Sequence, residues 1–250
     1  MTTFFISDLH LSALHPNTSE LFLKFLREDA TDADALYILG DFFEAWIGDD
    51  ILDDHDARIM NALADFSKQG VPVYFMHGNR DFLIGKGFAN KTGCTLIHDP
   101  TPIQLYGKNV LLAHGDALCT LDKAYQRFRK FVRHPIIKGI FLMLPNWIRR
   151  KIANRLRKNS PRAFKKYQAA ALQLKTTPDA NPFWDVSQAS VNNMMRQFQS
   201  DILIHGHTHK PAIHEFILDE KRVSRIVLGD WTNTGKILAF SPQQQELREV

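Results

Sequence analysis

The chain has 250 residues, 44% apolar, 11% aromatic and 23% charged. These ordinary globular values exclude wholesale disorder, collagen and coiled coil, and they leave room for one good-sized domain or a domain with an insert. The net charge of +4 is unevenly spread: 15 of the 31 basic residues lie between Lys123 and Lys166, where there is no Asp or Glu, and the rest of the chain holds 16 basic against 27 acidic residues.

Met1 to His10 has no basic region followed by a long apolar core, so no signal peptide is expected. Six short runs rich in Ile, Val, Leu and Phe read as buried strands: Thr3–Ile6, Ala35–Leu39, Val71–Met76, Val110–Ala113, Asp201–Ile204 and Arg225–Leu228. Leu21, Phe22, Phe25 and Leu26 recur at helical spacing between the first two, as do Ile59, Leu63 and Phe66 between the next two. Pro16 and Asn17 open the first helix; Gly70 and Pro72 close the second. Strands alternating with helices predict a layered α/β core. Lys123 to Arg157 is helical in pattern, broken by Pro135 and Pro145, and a later helix includes Val191 and Met195. The expected organisation is a core over 1–121 and 200–250, with a helical cap over 122–199 inserted between two core strands. The longest apolar run, Ile140 to Pro145, is far short of the ~20 residues needed to span a bilayer. Two cysteines, Cys94 and Cys119, are too few for a disulfide scaffold and fit a reducing cytosol.

The chemistry follows the strands. Asp8-Leu9-His10 comes after the first, Gly40-Asp41 after the second and His77-Gly78-Asn79-Arg80-Asp81 after the third. His114-Gly115-Asp116 follows the fourth and His205-Gly206-His207-Thr208-His209 the fifth. In open α/β sheets such strand ends line the crevice where ligands bind. Asp8, His10, Asp41, Asn79, His114, His207 and His209 offer imidazole, carboxylate and amide donors but no thiolate, a set suited to Mn²⁺, Fe²⁺, Zn²⁺ or Mg²⁺. Seven ligands are too many for one tetrahedral ion, whereas a two-ion site that shares one carboxylate uses them all. A lone His or Asp after a strand is usually a loop residue or a helix cap; the ordered set of five motifs carries the signal. There is no Gly-x-Ser-x-Gly elbow and no phosphate-binding Gly-x-x-x-x-Gly-Lys loop.

The order Asp-x-His, Gly-Asp, Gly-Asn, His-Gly, Gly-His-x-His resembles the calcineurin-like metallophosphoesterase superfamily. Ile6–Leu11, the block Leu36–Asp50, His77–Leu83 and Ile204–His209 are similar, more closely, to the UDP-2,3-diacylglucosamine pyrophosphatases of lipid A biosynthesis. The resemblance implies a metallophosphoesterase core of layered β-sheets flanked by helices, with an inserted helical cap. It implies two divalent metal ions, with Mn²⁺ favoured: one on Asp8, His10, Asp41 and His209, the other on Asp41, Asn79, His114 and His207, with Asp41 as the bridge. Asp41, Asn79, Arg80 and His114 are the implied catalytic residues, and the implied substrate contacts are Asn79, Arg80, Asp122, Ser160 and His207. Arg80 stands where many superfamily members carry His; a guanidinium grips phosphate but does not give up a proton, so stabilisation of transition-state charge is its expected role. The expected reaction is attack of activated water at the UMP phosphorus of UDP-2,3-diacylglucosamine, releasing UMP and 2,3-diacylglucosamine 1-phosphate. Past Ser160 the match weakens: Phe164 and Tyr167 replace polar residues, the stretch to Asp185 is longer, and Lys165 or Lys166 is left as the candidate cation.

In the insert, Phe141, Leu142, Leu144, Trp147 and Ile148 precede Arg149, Arg150, Lys151, Arg155, Arg157 and Lys158. Apolar residues beside dense positive charge fit a surface that docks on an anionic membrane, and the resemblance implies that apolar cap faces also line a chamber for acyl chains; the plainer alternative is that these faces pack on the core with the charges solvated. The expected partners are therefore the lipid nucleotide and an anionic membrane surface, not nucleic acid. The expected location is peripheral, on the cytoplasmic face of a bacterial inner membrane. Among the lesser candidates, His77, His205, Asp81 and Asp230 are expected to orient ligands, Glu44, Trp46 and Asp50 to shape the site wall, and Cys119 to pack. Another phosphoesterase of the superfamily, or a basic binder without activity, are the rival readings.

Overall fold

A computed structural model describes residues 1–156, 185–232 and 234–250. It divides into two compact units, one formed by 1–115 and 194–250 and the other by 116–193.

The first unit carries two sheets. In the first sheet, β1 (Thr3–Ile6) lies between β2 (Ala35–Ile38), to which it is parallel, and β10 (Lys236–Phe240), to which it is antiparallel. The parallel run continues through β3 (Val73–Met76) to β4 (Thr95–Ile97), and β11 (Gln245–Glu249) closes the other edge. The second sheet has the order β5 (Thr101–Leu105), β6 (Lys108–Ala113), β7 (Ile202–His205), β9 (Lys221–Val227) and β8 (Ala212–Leu218). Its centre, β6-β7-β9, is parallel and its edges are antiparallel.

Side-chain alternation explains the layers. Phe5 stacks on Tyr37 at 5.0 Å and meets Phe240 at 6.2 Å. It belongs to a buried cluster with Val110, Leu112, Ile204 and Ile226 of the other sheet, so the two sheets pack face to face. Phe4, on the opposite face of β1, meets Phe25 of α1 (Pro16–Glu28) at 5.6 Å. The helices α2 (Asp54–Lys68) and α3 (Lys86–Thr92) share this outer layer, where Phe75 of β3 meets Phe88 of α3 at 5.3 Å. A fully buried strand such as β1 needs cover on both faces, and this layering supplies it.

Helix starts are written locally or lent from afar. Asp53 and Asp56 form a reciprocal capping box at the start of α2. The N-cap of α3 is Gly85, which has no side chain to offer. Asp49 takes its place, accepting from Gly85 N at 3.0 Å, from Phe88 N at 3.1 Å and from Trp46 Nε1 at 2.9 Å.

The second unit is helical: α4 (Lys123–Val132), α5 (Pro135–Met143), a helix over 146–156 (α6) and the start of α7 (Gln188–Phe198). Pro135 sits in the first turn of α5, where its missing N–H costs nothing. Asp122 caps α4, accepting from Tyr125 N at 2.8 Å. Fully buried Asp116 accepts from Tyr125 Oη at 2.8 Å, Arg129 Nε at 2.8 Å and Arg133 Nη2 at 3.1 Å. The basic insert thus has its own internal counter-charge. The unit begins and ends a few residues before the expected 122–199. The turn after β6 already belongs to it: Ser187 N and Ser190 Oγ both donate to Leu118 O.

The six expected strands are all present, the first with the same bounds and the others with edges moved by one to a few residues. Five more were not expected. β4 is three residues long, β5, β8 and β11 are partly exposed edge strands, and β10 is a short apolar run opened by Lys236. Edge strands need only one buried face, so their hydrophobic signal is weak.

Truncating Phe5, which is wholly buried between the sheets, tests this layering. Phe5→Ala is expected to cost about 3–5 kcal/mol of stability by urea denaturation; a loss under about 1 kcal/mol would place the core elsewhere.

Candidate metal centre

Five of the seven candidate ligands share an uncommon backbone. Asp8 (φ +57°), His10 (+51°), Asp41 (+52°), His207 (+70°) and His209 (+55°) are left-handed non-glycine residues. Only four other described non-glycine residues have positive φ. Such conformers cost of order 1–3 kcal/mol each and persist where surrounding structure holds them, typically at functional sites. Here the cause is visible: each follows a strand end, and the chain must reverse sharply to aim a short polar side chain back across the sheet edge.

The ligands fall into two groups. Asp8, His10 and His209 present ligand atoms within 4.8 Å of one another, and so do Asp41, His114 and His207. Fully buried Asp8 Oδ1 lies 3.3 Å from His209 Nε2, and the rings of His10 and His209 are 5.4 Å apart. In the second group the rings of His114 and His207 are 5.2 Å apart, and Asn79 Oδ1 is 3.1 Å from His114 Nε2. Asp41 stands between the groups: Oδ2 is 4.0 Å from His10 Nε2, and Oδ1 is 3.7 Å from His114 Nε2.

Backbone contacts close the arrangement. Asp8 Oδ2 accepts from His207 N at 2.8 Å and from Ser7 Oγ at 2.6 Å, fastening the first strand end to the fifth. Asp41 Oδ1 accepts from Arg80 N at 2.8 Å. A side chain on Gly78 would run into Asp41 N and Oδ1, and one on Gly206 would run into Asp8 Oδ2 and Ser7 Oγ, so glycine is what lets these loops touch. Buried Asp81 accepts from Gly78 N at 2.7 Å and Phe42 N at 2.8 Å, tying together the loops that carry Asn79 and Asp41.

The electrostatics mark the same place. Burial alone would raise the Asp8 carboxyl, but contact with His209 and the charges of His209, His114 and His10 hold it far below the usual range. Burial would lower His10 and His209, yet Glu44, Asp41 and Asp8 raise the first and Asp8 and Asp230 the second. Burial and the Asp41 charge push Asp81 up to about 7, against two N–H donors. Burial drives His205 down to about 3, so it is neutral.

The donor set fits divalent cations. His114 Nδ1 is 2.8 Å from Leu39 O; an N–H there turns the Nε2 lone pair toward Asn79 Oδ1 and Asp41 Oδ1, so three electron-rich atoms converge on one point. Buried Asp8 Oδ1 makes no hydrogen bond among the described residues. A cation is the species that such convergence accommodates. A third group, Asp53, His55 and Asp56, is already accounted for: the two carboxylates form the α2 capping box, and His55 Nε2 is 2.7 Å from Ser19 Oγ. The positive end of a helix also disfavours a cation.

Of the remaining candidates, Arg80 is part-exposed and its Nη1 is 3.4 Å from Glu44 Oε1. Asp122 lies in the second unit as the cap of α4. Ser160, Phe164, Lys165, Lys166 and Tyr167 lie outside the described residues. Trp46 was expected in the site wall, but it is buried against Phe43 and Phe88 as part of the aromatic core; Asp50 is exposed. His77 Nε2 meets Ile84 O at 2.8 Å, and His205 Nδ1 meets Gly206 O at 2.8 Å, so both shape loops beside the ligands. Asp230 Oδ2 is 3.8 Å from His209 Nδ1. Cys119 is buried, and burial followed by nearby carboxylates pushes its thiol up to about 12, which makes it unreactive. The sequence reading did not single out Asp49 as the cap of α3, because its partners lie 36 and 39 residues away.

Comparison with known proteins agrees with this geometry. Residues 1–211 match the family model described as calcineurin-like phosphoesterase. The UDP-2,3-diacylglucosamine hydrolase of Aeromonas hydrophila is 45% identical over 249 residues, covering 100% of this chain and 98% of the relative. The protein of the same name from Escherichia coli is 44% identical over 247 residues, covering 99% and 98%. That from Pseudomonas aeruginosa is 47% identical over 235 residues, covering 94% and 93%.

The Gly78 contact gives a test that needs no substrate. Gly78→Ala is expected to weaken divalent-metal binding by about 10–100-fold in calorimetric titration, with the circular dichroism spectrum unchanged; wild-type affinity would show that the close approach to Asp41 does not matter.

Proposed function

Because the chain belongs to the calcineurin-like phosphoesterases, and within them to the UDP-2,3-diacylglucosamine hydrolases, we propose that it hydrolyses the pyrophosphate of UDP-2,3-diacylglucosamine. Water attacks the phosphorus on the UMP side, giving UMP and 2,3-diacylglucosamine 1-phosphate, a step of lipid A biosynthesis. The observation that carries the reading is the pair of ligand groups meeting at Asp41.

Family membership implies divalent metal ions, and the donor set fits them; we take Mn²⁺ as the metal. Asp8, His10, Asp41 and His209 would hold one, and Asp41, Asn79, His114 and His207 the other. Such a pair, when bound, supplies acidified water and neutralises phosphate charge. The chain's own groups do the rest. Asp41, with one oxygen toward each group, fixes the spacing between them. The guanidinium of Arg80 keeps its charge at any working pH, so it donates hydrogen bonds to phosphate oxygens and stabilises the charge that builds there, without transferring a proton. Asn79 and His207, which sit beside His114 at 3.1 Å and with rings 5.2 Å apart, are our candidates for contacts with the same phosphate. Asp122 and Ser160 are our candidates for substrate contacts from the insert.

The insert suits a lipid substrate. Phe131, Ile136, Ile140, Met143 and Trp147 are exposed, and α4 and α5 carry Lys and Arg but no acid. A surface of apolar and cationic groups partitions to an anionic bilayer, where a diacyl substrate resides. We therefore read the protein as peripheral on the cytoplasmic face of the inner membrane, with apolar cap residues receiving acyl chains. No helix among the described residues is long and apolar enough to cross a membrane.

The test is hydrolysis of the lipid nucleotide in ¹⁸O-water by Mn²⁺-loaded protein. The label should appear in UMP; label in the diacylglucosamine phosphate, or a preference for simple aryl phosphodiesters, would overturn the reading. His114→Ala should lower kcat/KM by at least about 100-fold while leaving the thermal transition cooperative.

A further inference from the structure

Glu44 is an acidic side chain that the structure places against both a candidate metal ligand and the candidate phosphate-gripping cation. Its Oε2 lies 3.2 Å from His10 Nδ1, and its Oε1 lies 3.4 Å from Arg80 Nη1. We infer that Glu44 is a positioning residue that sets the imidazole of His10 and the guanidinium of Arg80 with a single carboxylate. The inference rests on the functional reading above for what those two groups do, and goes beyond it in assigning what aligns them.

The backbone holds Glu44 in place for this task. His10 N donates to Asp41 O at 3.0 Å, Leu11 N to Phe42 O at 2.9 Å, and Glu44 N to Leu11 O at 3.0 Å. The segment carrying Glu44 is thus sewn to the segment carrying His10. On the other side, Trp46 N donates to Arg80 O at 3.0 Å, and Arg80 N to Asp41 Oδ1 at 2.8 Å. Phe43 and Trp46, buried on either side of Glu44, anchor the loop in the aromatic core. The carboxylate is therefore delivered between its partners by a rigid loop.

The consequences differ for the two partners. Glu44 Oε2 stands 3.2 Å from His10 Nδ1, within ion-pair distance but not aligned as a hydrogen bond; a carboxylate on that side favours the His10 tautomer with hydrogen on Nδ1, which leaves Nε2 as the ligand atom, on the side of Asp41 Oδ2 at 4.0 Å. Arg80 is a long side chain, 31% exposed, with many rotamers open to it. One ion pair at Nη1 narrows that choice and leaves the remaining donors for phosphate. A glutamine at position 44 separates the roles. Its carbonyl oxygen can still stand against His10 Nδ1 with the same polarity as the carboxylate, but its amide N–H₂ faces Arg80 with like polarity.

The experiment compares Glu44→Ala, Glu44→Gln, Arg80→Ala and the double variant Glu44→Ala/Arg80→Ala, each checked for a cooperative thermal transition. Mn²⁺ affinity is followed by electron paramagnetic resonance, and kcat and KM are measured on UDP-2,3-diacylglucosamine. Glu44→Ala is expected to weaken one Mn²⁺ site by about 10–100-fold, and Glu44→Gln to restore most of that affinity. In kinetics, Glu44→Gln should keep a lowered kcat/KM, and adding Arg80→Ala to Glu44→Ala should cost much less than Arg80→Ala costs alone. Unchanged Mn²⁺ affinity in Glu44→Ala, equal metal loss in the Ala and Gln variants, or fully multiplicative kinetic effects would each overturn the assignment. Should wild-type protein leave the lipid nucleotide intact, the functional reading fails instead, and the Mn²⁺ comparison still decides whether Glu44 orients His10.

Discussion

The constraint on which the rest depends is the position of the Asp41 carboxylate, with one oxygen toward each of two clusters of imidazole and carboxylate groups. Like-charged and electron-rich atoms gathered this closely repel one another, and buried carboxylates such as Asp8 and Asp41 are costly without partners. The surrounding structure must hold them. Backbone N–H groups from distant loops do much of that work: His207 N on Asp8, Arg80 N on Asp41, and Phe42 N and Gly78 N on Asp81.

That arrangement is possible because two parallel arrays of strands end on neighbouring edges. β1, β2 and β3 run parallel in one sheet, β6, β7 and β9 in the other, and the shared apolar layer around Phe5, Leu112 and Ile204 keeps them face to face. Each strand then releases its chain in a tight turn, and the turns after β1, β2 and β7 use left-handed conformations that Asp and His tolerate better than branched residues do. Core packing and site geometry are therefore one problem. The apolar strands supply rigidity, and the strained ends convert it into fixed ligand directions.

Charge is partitioned in the same modular way. The first unit carries the acidic balance and the candidate metal ligands; the second carries the dense positive charge, with buried Asp116 gripping Tyr125, Arg129 and Arg133 as its internal anchor. Exposed Ile136, Ile140 and Trp147 lie among those cations, a composition suited to lipid rather than to a purely polar partner.

The amino-acid sequence by itself determined the α/β class, the six buried strands and the seven metal-type residues, because each of those is a local signal: an apolar run, then a glycine, then a short polar ligand. It also carried the family resemblance, through the Leu36–Asp50 block and the strand-end motifs. The edge strands β4, β5, β8 and β11 left little trace, since a half-exposed strand needs little apolar surface. Only the tertiary structure decided how residues far apart in the chain share work. It decided that Asp49 caps a helix 36 residues on, that Asp81 ties Phe42 to Gly78, that Trp46 belongs to the core and that Glu44 reaches both His10 and Arg80. Spacing along a chain fixes which face a side chain takes; which neighbour it meets there is set by how the sheets and loops pack.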